Sequence, residues 1–144
     1  MSWRLNTIAP DIVEELEREE EPQLRLAAER VAGAALQEAD VRDETVDRAL
    51  TALRAGRYGE SEERSAVKAF ADRLDELAWD IQEQVDTGEA EQEDYLTAFR
   101  KARAATALWF ALDEDPRTAA IEAAYEAQAA TDDGLVRREI AAAG

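Results

Sequence analysis

The sequence predicts an all-α protein, read as a single domain over residues 1–144 and built as a helical bundle or orthogonal array of about six to seven helices. Three observations predict it. Apolar residues recur at three- and four-residue steps along nearly the whole chain, as they do on helices that bury one face. The β-branched alternation of a half-buried strand is missing, and alanine, glutamate, leucine and arginine dominate. Proline, glycine and capping residues recur between the periodic stretches, and 144 residues suffice to bury a core without a disulfide or metal staple.

Pro10 and Asp11 open a short first helix. Pro22 ends it and begins the next, because proline lacks the N–H and fits the first turn of a new helix. Leu24, Ala28, Val31 and Ala35 form the stripe of the second helix. Asp43 caps a third with the stripe Val46, Leu50 and Leu53, and Gly56 suits its C-terminal stop. Arg57-Tyr58-Gly59-Glu60 reads as a loop, after which Ser61 caps the fourth helix. There Val67, Phe70, Leu74, Leu77, Ile81 and Val85 hold three/four spacing over five turns, with Gly88 as the stop, so this stripe is expected to be a buried seam. A fifth helix runs from about Glu91 to Leu112, Asp115-Pro116 starts a sixth, and Asp132 or Asp133 caps a last short one carrying Leu135, Val136 and Ile140. Trp109, Phe110 and Tyr125 are expected in the core, and Trp3 over a helix end.

Composition narrows the chemistry. Thirty-four acids against seventeen basic residues leave a net charge of −17, which repels nucleic-acid phosphates and anionic lipid, so neither is expected as a direct partner. Such acidity also fits a protein adapted to concentrated salt, where screening relieves self-repulsion. Without histidine or cysteine, the usual zinc sites, thiol catalysis, histidine-based nucleophile pairs and histidine pH switches are excluded. The six glycines show neither a Walker nor a Rossmann spacing, and no cofactor is expected. Met1-Ser2-Trp3-Arg4 has no apolar segment behind its charge, and no apolar run is long enough to span a bilayer, so the expected location is cytoplasmic.

The charge is concentrated. Residues 72–94 hold ten acids and one arginine, and residues 11–21 hold seven acids and one arginine. At about 100° per residue, Trp79 falls nearly opposite the fourth helix's stripe, among Asp72, Asp75, Glu83 and Asp86. Either another layer of structure covers the indole, or it stands exposed at the centre of a binding surface. The candidate partner-binding residues are therefore Trp79, Asp72, Asp75, Asp80, Glu83 and Asp86, with a secondary acidic patch of Glu14, Glu15, Glu17, Glu19, Glu20 and Glu21. Arg100 and Arg103, in the cluster Arg100-Lys101-Ala102-Arg103, are expected to pair with acids of a neighbouring helix.

One catalytic alternative has a motif behind it. Glu83-Gln84-Val85-Asp86 resembles the E-x-x-D element of all-α nucleoside-triphosphate pyrophosphatases of the MazG type, which bind magnesium with carboxylates from two helices. The companion E-E-x-x-E element fails, since Glu14-Glu15-Leu16-Glu17-Arg18 puts arginine where its third acid belongs. No catalytic or metal-ligating residue is assigned. The sequence therefore points to a non-enzymatic module, of the inhibitor or immunity-protein kind, that covers a basic surface of a partner protein; homo-oligomers fit as well. An acidic DNA mimic and a magnesium-dependent hydrolase are the alternatives.

Overall fold

Seven α-helices follow a short 3-10 turn in the computed structural model, which describes residues 2–144 and has no strand among them; Met1, the first residue of the N-terminal segment read above, lies outside. After the turn Arg4–Thr7 come α1 (Pro10–Arg18), α2 (Glu21–Glu38), α3 (Glu44–Arg54), α4 (Glu62–Asp86), α5 (Gln92–Ala111), α6 (Pro116–Ala130) and α7 (Asp133–Ala143).

The boundaries follow local chemistry. Carboxylate or hydroxyl oxygens of Asp43, Ser61, Asp115 and Asp132 accept from first-turn backbone N–H groups that no helical carbonyl reaches. At α5, Glu91 and Asp94 form a reciprocal capping box. Gly88 turns the chain after α4 at φ +81°, a region that disfavours a Cβ, and the Glu89 N–H then donates to the Gln84 carbonyl at 2.7 Å.

Asp115 carries a testable consequence. The Thr118 hydroxyl, and then the Thr118 backbone N–H, hold its carboxyl below the usual carboxylate range. A depressed folded-state pKa stabilises the fold above the ordinary aspartate value, and that contribution disappears as pH falls through the depressed value. Asp115→Ala should cost about 1 kcal/mol in chemical denaturation at neutral pH. The gap to the native protein should close in the acid range, and a gap that persists there would show that the cap is not electrostatic.

Alanine makes the core. α6 buries Ala119, Ala120, Ile121, Ala123, Ala124, Ala127 and Ala130 around nearly its whole circumference, as expected of a helix with neighbours on every side. It packs on α5, α2, α7, α1 and the 3-10 turn. Small side chains let these backbones approach closely, while Leu5, Leu16, Leu24, Val31, Leu108 and Leu112 fill the wider gaps. Arg25 of α2 is buried without a carboxylate. Its guanidinium lies 3.5 Å from the Tyr58 ring centroid and donates to the Asp113 and Glu114 carbonyls, both at 2.6 Å, tying two loops to α2.

The fourth-helix stripe is corrected by the structure. Only Val67 of that stripe is buried; Phe70, Leu74, Ile81 and Val85 are half-buried, and Leu77 is 50% exposed. Beyond its first turns α4 leaves the core and has α5 as its packing partner, so the buried line runs instead through Ala71 and Ala78, with Ala98 and Ala102 buried on α5. Trp109, Phe110 and Tyr125 also fall short of full burial, lying at the core's edge. Trp3 packs on the core, and its indole N–H donates to Glu17 in the last turn of α1 at 3.1 Å. No helix among the described residues is long and apolar enough to cross a membrane.

Candidate functional site

The outer part of α4, residues 72–86, and the start of α5, residues 92–101, form a helical arm. From α4 the core takes Val67, with the half-buried Phe70 packed against it, and α5 joins it from Ala104 onward. Fifteen residues at about 1.5 Å per residue give the α4 limb a length of about 22 Å. Trp79 lies on one flank of this limb and is 67% exposed, so no second layer covers it.

The six candidate residues have different surroundings. Asp80 and Glu83 are exposed and have no ion-pair partner among the described residues. With Gln84, Thr87 and Glu89 they line a shallow hollow at the arm's tip, Asp80 lying about 100° around the helix from Trp79. Asp86 is exposed and accepts from the Gln82 amide at 3.0 Å. Asp72 is half satisfied on its own helix, where it accepts from Lys68 Nζ at 2.8 Å. Asp75 belongs to the scaffold instead, because both its oxygens accept from Arg103 Nη2, at 2.8 and 3.0 Å.

Arg103 anchors the root of the arm. Its Nη1 donates to Glu126 of α6 at 2.7 Å, and Arg4 donates to Glu126 at 3.2 Å and also to Glu122. Burial disfavours the Arg103 cation, but the Glu126 charge and the Asp75 contact outweigh that and raise its pKa above the ordinary value. The network thus joins the 3-10 turn, α4, α5 and α6 around one carboxylate that is 1% exposed. Above it opens a cleft of about 300 Å³ lined by Arg4, Lys68, Asp72, Arg103, Trp109 and Phe110, among others. Its cations are each engaged by acids, so it presents neither a free anion site nor a dry apolar pocket.

Sequence reasoning missed Glu126, although a signal existed. It is an acid within the apolar run Ala123, Ala124, Ala127, where an unpaired carboxylate would be costly to bury. It also overlooked Arg4, whose partners lie more than a hundred residues away. The Arg103 pairing with a neighbouring helix is as expected, whereas Arg100 pairs within its own helix, 3.7 Å from Glu93.

The secondary patch stays apart from the arm. α1, which carries Glu14, Glu15 and Glu17, packs on the 3-10 turn and α6, while α4 packs on α5 and α3, so these two acidic helices have no principal packing neighbour in common; Glu21 already belongs to α2. Within the patch Glu14 pairs with Arg18 and Glu17 accepts from Trp3; Glu19 is half-buried, and Glu15, Glu20 and Glu21 are exposed. Among the described residues no three acids gather in a way able to hold a metal ion, and Glu83 and Asp86 lie on the arm, away from Glu14 and Glu15. No family model, curated protein or solved structure matches this chain.

Proposed function

We propose that the chain is a non-enzymatic binding module, of the inhibitor or immunity-protein kind, whose arm covers a basic surface of a partner protein. The observation that carries this reading is Trp79, 67% exposed on a projecting helix among carboxylates. A flat aromatic ring of this size adds apolar contact area with few rotamers to immobilise, and tryptophan is enriched among the residues that dominate interface energies. The unpaired acids beside it supply a long-range field that raises the rate of encounter with a cationic surface. A mimic of DNA would spread unpaired charge along a phosphate-like track. Here Asp72 and Asp75 are engaged by Lys68 and Arg103, leaving a more local patch with an apolar centre.

The test needs the purified protein and a basic partner captured from lysate at low salt, identified by mass and then purified. Trp79→Ala should leave the unfolding free energy within about 0.5 kcal/mol of the parent, as exposed substitutions do. It should weaken the complex by about 2 kcal/mol or more. Asp80→Asn with Glu83→Gln should mainly slow association and flatten its salt dependence. An affinity indifferent to all three substitutions would overturn the reading.

A further inference from the structure

The opposite flank of the arm has a different character. Leu77, Ile81 and Ala98 line a groove of about 490 Å³ between α4 and α5, with Asp94, Thr97 and Lys101 along its α5 side. Lys101 has no ion-pair partner among the described residues, and neither does Asp94, whose carboxylate accepts only from the Glu91 backbone N–H. The groove's charge is polarised: its one cation, Lys101, lies toward the root of the arm, and its two acids, Asp94 and Glu89, lie toward the tip.

We propose that this face joins two copies of the chain, arm against arm and antiparallel, about a two-fold axis crossing the groove at the level of Ile81 and Thr97. Lys101 lies four residues rootward of Thr97, about 6 Å along α5, and Asp94 three residues tipward, about 4.5 Å. The two-fold therefore brings Lys101 of each copy beside Asp94 of the other, twice in one interface. Ile81 meets its own symmetry mate, and the half-exposed Leu77 is covered. A parallel pairing would instead set acidic tip against acidic tip, so the charge pattern selects the antiparallel arrangement. Trp79, on the other flank, stays outside the interface.

Each copy carries −17, so whole-molecule repulsion opposes association at low ionic strength and is screened as salt rises. Sedimentation velocity on the full chain should therefore show a dimer whose population grows from about 0.05 to about 1 M sodium chloride, where the Debye length shrinks from above 10 Å to about 3 Å. A complex with a basic protein responds in the opposite direction, which separates this proposal from the proposed function. Lys101→Asp should raise the dimer dissociation constant at least about tenfold, since it places like charges together at two symmetric positions. Adding Asp94→Lys to it should recover most of that loss, while Trp79→Ala should leave it unchanged. Circular dichroism of each variant should match the parent. A monomer at every salt and protein concentration, or a reversed pair that fails to recover the dimer in a folded protein, would overturn the proposal.

Discussion

Glu126→Ala should destabilise the protein by about 3 kcal/mol or more, toward the range found when one partner of a buried ion pair is removed. The Glu126 side chain is 2% exposed and accepts from both Arg103 and Arg4, so its loss leaves the largely buried Arg103 guanidinium without its α6 partner, while the half-exposed Arg4 turns to water. Glu122 and Asp75 still hold one cation each, which keeps the cost at the lower end of that range. Replacing Glu126 and Arg103 together with apolar residues, Glu126→Leu with Arg103→Leu, should cost less than Glu126→Ala alone, because the two charges left behind, Asp75 and Arg4, are both partly exposed and Arg4 keeps Glu122. Denaturant unfolding followed by tryptophan fluorescence reads this directly, with Trp109 beside the network. A Glu126→Ala midpoint equal to that of the parent would show that the network contributes nothing to holding the arm's root.

Leu108→Ala should cost about 2–5 kcal/mol, whereas Leu77→Ala should cost about 1 kcal/mol or less. The two leucines are indistinguishable by helical spacing, yet Leu108 is fully buried at the meeting of α5 with the core and Leu77 is 50% exposed on the arm. Truncating Leu108 leaves a cavity among alanines that have no side-chain freedom with which to fill it. Truncating Leu77 leaves solvent where an isopropyl group had been. Matched denaturation curves with equal m-values check the ranking, and equal costs would mean that the arm is covered in the isolated protein.

That contrast marks the limit of periodicity as a guide. Three/four spacing finds that α4 has an apolar side, but the stripe it draws is only partly covered: Val67 is buried, Phe70, Leu74, Ile81 and Val85 are half-buried, Leu77 is half-exposed, and the buried line passes through Ala71 and Ala78. Spacing carries no information about how many neighbours that face will have. The exposure of Trp79 was open for the same reason: its angular position follows from 100° per residue, but a covering helix would have come from elsewhere in the chain. Asp75 and Asp80 show the complementary error. Both are acids on one helix with the same local sequence character, and only the arrival of Arg103 from α5 makes Asp75 part of the scaffold while Asp80 remains unpaired.

What the sequence by itself determined is local: helical class, the caps at Asp43, Ser61 and Asp115, a last cap at Asp132 or Asp133 that the structure places at Asp132, the turn at Gly88, and the concentration of acid along α4. These depend on hydrogen bonds and dihedral preferences within a few residues of one another, so a short window contains the whole cause. Only the tertiary structure decided that α6 is enclosed on nearly every side, that Glu126 collects Arg4 and Arg103, and that α4 and α5 run past the core as an arm. Those outcomes depend on which faces meet across separations of up to 122 residues, where side-chain volume and charge pairing act through contacts that no local pattern encodes.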